Sequence, residues 1–67
     1  MIKFFLNGKE FEISTEQTLE MFLKNQNLEK EKIAIEIDGE VIPKSSHNNF
    51  FIKPNMKIEI ITFVGGG

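Results

Sequence analysis

Apolar residues recur along this chain with two distinct periods. From the second residue, Ile2, Phe4 and Leu6 alternate with Lys3, Phe5 and Asn7, the period of a strand that turns one face to a core. Asn7-Gly8 follows, and because both residue types tolerate positive φ the dipeptide predicts a two-residue hairpin turn. Lys9–Ser14 supplies the returning strand, with Phe11 and Ile13 on one face and Glu10 and Glu12 on the other. The period then changes. Leu19, Phe22 and Leu23 stand at i, i+3 and i+4 and predict a helix over Leu19–Gln26. Ser14, Thr15 and Thr18 are candidate caps, Thr18 directly preceding the stripe. Glu16 and Glu20 near its start and Lys24 near its end suit the helix dipole. So short a helix is unstable in isolation, so a sheet must cover its apolar side.

Asn25–Lys32 reads as a connection anchored by Leu28, with Glu29-Lys30-Glu31-Lys32 as a solvated charge run. Ile33, Ile35 and Ile37 resume the strand period, and Asp38-Gly39 predicts a second hairpin leading into Glu40, Val41 and Ile42. Pro43 lacks a backbone donor and ends that strand or holds it to an edge. Lys44–Asn49 reads as a polar surface loop containing His47, and Phe50, Phe51 and Ile52 return the chain to the core. Pro54-Asn55 predicts a turn before a last strand over Met56–Thr62. Ile58 and Ile60 fit its inward face, whereas Ile61 and Phe63 fall on the opposite parity, as Phe5 does in the first strand. A bulge near Ile60 and Ile61, or cover by the polar loop, would account for this. A docking face beside the C-terminus is the preferred reading, because exposed apolar patches on small proteins mark partner sites.

Composition narrows these elements to one small domain. Sixty-seven residues bury only about 60% of their unfolded surface. Seven Phe and ten Ile against four Leu and one Ala favour a sheet over a helical bundle. With no cysteine there is no disulfide framework, thiolate metal site or thiol nucleophile, and a reduced, cytoplasmic setting is expected. A net charge of −2 with no Arg lacks the basic footprint of a nucleic-acid binder. Met1-Ile2-Lys3 opens a mixed run rather than an apolar leader, and no apolar run nears the roughly 18 residues of a membrane span.

Candidate chemistry is sparse. A lone His47 without cysteine or a second histidine makes a poor metal site, so none is expected. Glu10 and Glu12, on an exposed strand face, lack the burial that tunes a carboxyl for acid–base work, and no catalytic residue is assigned. What remains is the end of the chain, Phe63-Val64-Gly65-Gly66-Gly67. Without Cβ atoms glycines pass where other residues clash, and three of them extend roughly 10 Å. They would carry the α-carboxylate of Gly67, which is ionised at neutral pH and a poor electrophile until activated.

Two strands, a helix, a hairpin, a loop and a last strand ending in Gly66-Gly67 is the order of the ubiquitin-like β-grasp. The expected class is α+β, a mixed sheet packed on one short helix in the order ββαββ, with residues 1–64 as the body and 65–67 as a flexible tail. Three features narrow the likeness: Asn7-Gly8, the run Ile35-Glu36-Ile37-Asp38-Gly39-Glu40-Val41-Ile42-Pro43-Lys44, and the ending Lys57 to Gly67. With them the chain resembles the ThiS family of sulfur carriers in thiamine biosynthesis, over its whole length. The resemblance implies a carrier, not an enzyme. An E1-like, ThiF-like adenylyltransferase would use ATP to adenylate Gly67, and the carrier itself would bind no cofactor. A sulfur donor such as a cysteine desulfurase would convert the adenylate to a thiocarboxylate, and a ThiG-like thiazole synthase would accept the sulfur. Gly65 and Gly66 would thread the tail, and Phe5, Ile61, Phe63 and Val64 would bind partners. Gly65, a third glycine before the family's terminal pair, reads as extra reach. A MoaD-like subunit of molybdopterin synthase, a ubiquitin-like modifier and a β-grasp binding module are the alternatives.

Overall fold

The computed structural model describes residues 1–28 and 32–63. Its first two strands, β1 (Ile2–Leu6) and β2 (Lys9–Ile13), form the opening hairpin, with Phe4 opposite Phe11 and Ile2 opposite Ile13. Asn7 and Gly8 turn it with φ of 49° and 83°, the paired positive values that a two-residue hairpin turn requires. The helix α1 spans Leu19–Asn25. The second hairpin joins β3 (Ile33–Ile37) to β4 (Glu40–Ile42) through Asp38 and Gly39, again with positive φ. A 3₁₀ turn over Lys44–Ser46 and the turn at Pro54-Asn55 lead to β5 (Lys57–Thr62). The observed order is ββαβββ, one strand more than ββαββ, and the three-residue β4 is the return strand of the hairpin that Asp38-Gly39 predicts.

The strands assemble in the order β2-β1-β5-β3-β4. The first and last strands of the chain thus lie side by side at the centre, parallel, with Phe5 opposite Lys57 and Leu6 opposite Ile58. All other pairings are antiparallel, so the sheet is mixed. One face carries Phe4, Ile13, Ile35, Ile37 and Ile58, all buried, and α1 covers it with Leu19, Phe22 and Leu23. Three rings join helix to hairpin: Phe4, Phe11 and Phe22 lie 5.5 Å apart pairwise, Phe22 meeting both others nearly edge-on. Edge-to-face pairs of this kind stabilise beyond their buried area because ring edge and ring face carry opposite partial charge.

The helix is too short to hold itself and is secured at both ends. Thr18 is its cap: the hydroxyl accepts from the Met21 amide at 3.2 Å, while the Leu19 and Glu20 amides donate to the carbonyls of Phe50 and His47. Four residues of a helix start lack intrahelical acceptors, and here the returning segment supplies two of them. At the other end Asn27, with φ 60°, lets its own amide reach the Lys24 carbonyl and the Leu28 amide reach the Leu23 carbonyl. This is a Schellman closure with Asn in the left-handed position, and Leu28 packs against the core as its apolar partner. Thr18→Ala removes the cap hydroxyl and is expected to lower unfolding free energy by about 1 kcal/mol, read from the urea midpoint. No loss would show that the Phe50 and His47 carbonyls suffice.

Two local expectations are corrected. His47 is not on the surface: it is 7% exposed, because the 3₁₀ turn tucks its ring inward, where Nε2–H donates to the Ile42 carbonyl at 3.1 Å. Phe51 does not join the core. Extended backbone alternates its sides, and with Ile52 fully buried and Phe51 bridging Thr18, the Phe51 ring faces outward at 42% exposure.

Candidate functional site

β5 leads to the end of the chain and is gripped from both sides. On one side β3 pairs with it without interruption from Ile58 opposite Ile37 to Thr62 opposite Ile33, and the Phe63 amide extends the ladder by donating to the Lys32 carbonyl at 2.9 Å. The register contains no bulge. At the start of the strand Asp38 closes the second hairpin onto β5. Its amide donates to the Lys57 carbonyl at 2.9 Å, and its carboxylate accepts from the Lys57 amide at 3.2 Å. On the other side the Phe5 and Asn7 amides donate to the carbonyls of Met56 and Ile58. The Asn7 side chain also accepts from the Ile60 amide at 2.8 Å and donates to the Ile60 carbonyl at 3.4 Å.

With the register continuous, parity runs unbroken along β5. Ile58 and Ile60 face the helix, and Lys57, Glu59 and Ile61 face away. Ile61 lies opposite Ala34 and is 40% exposed, and Phe63 just beyond is 60% exposed. The polar loop therefore leaves Ile61 uncovered. Ile61 and Phe63 form one apolar spot at the far end of the strand. Phe5 is half-buried beside Lys57 at the near end, where with Gly8, Ile58 and Glu59 it lines a cleft of about 240 Å³. Ile61 lies four residue steps along the strand from Lys57, about 13 Å at the usual rise, and Glu59 lies between them. The structure therefore brings together Ile61 and Phe63 and sets Phe5 apart. Val64, Gly65, Gly66 and Gly67 lie outside the described residues, as do Glu29, Lys30 and Glu31 of the charge run.

Glu10 and Glu12 are exposed on β2. Among the described residues no group of three or more His, Asp or Glu is placed to hold a metal ion, and no helix is long and apolar enough to cross a membrane. Missing from the sequence reading are the two turn side chains that bind β5. Asn-Gly and Asp-Gly mark turns, but nothing local shows which distant backbone Asn7 and Asp38 will meet.

The chain matches the ThiS family over residues 4–67. It is 35% identical over 66 residues to a thiazole synthase of Paramagnetospirillum magneticum, an alignment that takes in 98% of this chain and 20% of that protein. The chain therefore spans only a fifth of that relative. An uncharacterized protein of Porphyra purpurea, ycf40, is 37% identical over 62 residues, with 92% of this chain and 87% of that protein covered. Among solved structures, the crystal structure of the thiamine biosynthesis protein ThiS from Geobacter metallireducens superposes with a TM-score of 0.83. It covers 98% of this chain and all of that one at 20% identity. The solution structure of a thiamine biosynthesis protein from the same organism gives 0.80 at 22% identity, covering 98% and 88%. At these identities the structural likeness establishes the β-grasp fold.

Proposed function

This chain belongs to the ThiS family, and from that premise we propose that it is a sulfur carrier of thiamine biosynthesis whose working group is the α-carboxylate of Gly67. It is a carrier rather than a catalyst, with residues 1–64 as the body and 65–67 as the tail. The carboxylate attacks the α-phosphorus of ATP on an E1-like, ThiF-like adenylyltransferase, and pyrophosphate leaves. A persulfide on a sulfur donor such as a cysteine desulfurase then attacks the acyl carbon and displaces AMP, and a thiol cleaves the resulting acyl disulfide, taking the donor's sulfur into a disulfide and leaving a thiocarboxylate on Gly67. A thiazole synthase accepts that sulfur. ATP belongs to the activating partner, and the carrier binds no cofactor and works in the cytoplasm.

One observation carries this reading: the family match runs through residue 67 and so includes Gly65, Gly66 and Gly67. A thiazole synthase with a segment similar to this chain supports the choice of acceptor. Physical chemistry agrees. A carboxylate is inert toward nucleophiles until its oxygen becomes a leaving group, and glycines let a narrow site enclose the backbone beside it. The exposed pair Ile61 and Phe63 sits on the strand that leads to the tail, where a partner that takes the tail must dock. Phe5 and Val64 complete the proposed partner-binding set.

Incubation with the activating enzyme, ATP and a sulfur donor is expected to raise the intact mass by the exchange of one oxygen for one sulfur, localised to Gly67 by fragmentation. An unchanged mass with all three present would falsify the carrier role.

A further inference from the structure

His47 is a buried titratable group that the carrier reading leaves unused. The 3₁₀ turn over Lys44–Ser46 docks it against α1: its amide donates to the Lys44 carbonyl at 3.1 Å, and its carbonyl accepts from the Glu20 amide at 3.0 Å. The two ring nitrogens differ. Nε2 meets the Ile42 carbonyl at 3.1 Å, and a carbonyl can only accept, so Nε2 carries the proton and Nδ1 keeps a lone pair. No described residue bonds Nδ1, yet among the described residues no buried side-chain nitrogen or oxygen lacks a partner. Nδ1 therefore reaches solvent, and it does so at the cleft of about 410 Å³ that His47 lines with Glu20, Met21, Leu23, Lys24 and Lys44.

We propose that this cleft binds a singly protonated phosphate, free or as the phosphate group of a small monoester, between Lys24, Lys44 and the Nδ1 of His47. Such binding does not depend on the carrier reading. Lys24 comes from the last turn of α1 and Lys44 from the 3₁₀ turn, so the two ammonium groups reach the cleft from different elements. Glu20 is the carboxylate that lines it among the described residues, and two cations against it leave one net positive charge, in a chain whose net charge is −2. Charge selects an anion, and Nδ1 selects which anion. A neutral imidazole nitrogen with a free lone pair needs a donor, and an ionised carboxylate offers acceptors only. A phosphate monoester loses its second proton near pH 6, so about half of its molecules there keep a P–O–H for Nδ1 and still present oxygens to both lysines. His47 then either accepts that hydrogen bond or takes the proton. Buried Leu23 and exposed Met21 give the cleft an apolar side for the organic part of an ester.

The chain has one histidine, so its ring resonances report on the cleft without ambiguity. Titration of the full chain near pH 6 with inorganic phosphate or with AMP, at constant ionic strength, is expected to shift them saturably. Equal affinity for the two would identify free phosphate as a sufficient ligand, and tighter binding of AMP would identify an ester. Sulfate, which brings no donor for Nδ1, is expected to bind about tenfold more weakly. Lys24→Gln and Lys44→Gln are each expected to weaken phosphate binding about fivefold, the worth of an exposed ion pair. Lys3→Gln, on the sheet face away from α1, is expected to change nothing. His47→Gln can still donate an N–H to the Ile42 carbonyl but lacks Nδ1, and binding followed at the Leu23 and Lys44 amides is expected to fall about tenfold. Should that variant unfold, the sulfate comparison and the two exposed lysines decide the matter. The proposal is overturned by the absence of a saturable shift, by sulfate binding as tightly as phosphate, or by wild-type affinity in both lysine variants or in folded His47→Gln.

Discussion

Gly66→Val is expected to abolish adenylate formation while leaving the folded body intact. The two halves of that expectation have separate causes. Among the described residues the buried core lies between Phe4 and Ile58, and the last described backbone bond of the sheet is that of Phe63 to Lys32. The described core is complete without position 66, so the denaturation midpoint is expected to hold. Activation requires the activating enzyme to close around the backbone beside the carboxylate. A β-branched side chain there brings two methyl-bearing arms where glycine has a hydrogen, and restricts φ as well. Displacement of the carboxylate from ATP by about 1 Å is enough for a loss on the order of 100-fold. ATP–pyrophosphate exchange with the activating enzyme measures it. A wild-type exchange rate in the variant would remove the reason for assigning Gly66 to threading.

Phe22→Ala is expected to have the largest effect on stability. Its ring is 1% exposed and touches both Phe4 and Phe11 edge-on, so truncation opens a cavity between α1 and the first hairpin. Such losses cost about 3–5 kcal/mol. Against a total of roughly 3–10 kcal/mol for a domain this small, the variant should be largely unfolded or close to it at 37 °C. The seven-residue helix has no other aromatic residue, and its isolated stability is negligible. Circular dichroism in urea would give the midpoint. A loss below about 1 kcal/mol would mean that Leu19 and Leu23 suffice to dock the helix.

The outward parity of Ile61 and Phe63 shows where the sequence stopped being informative. Alternation alone leaves three ways to accommodate apolar residues on both sides of a strand. The register with β3 excludes a bulge, and the exposure of Ile61 and Phe63 excludes cover by the loop. Parity places Phe5 on the same side as Ile61 and Phe63, but only the register between β1 and β5 shows that it lies against Lys57, at the other end of the strand. His47 went astray for a similar reason. A histidine among Ser and Asn reads as surface, and only the Ile42 carbonyl, placed by β4, offers its ring a buried partner.

What the sequence determined by itself is what depends on neighbours a few residues apart: both hairpin turns, the strand faces, the capped helix and the glycine ending with its carboxylate. These follow from φ preferences, side-chain period and cap chemistry, all of which act within one or two turns of chain. The tertiary structure alone decided which strands meet. It laid β1 beside β5, and it set the Asn7 amide on a backbone 53 residues away. Such contacts depend on how the whole apolar face closes over α1, and no local pattern encodes the partner of a side chain whose partner arrives only with the fold.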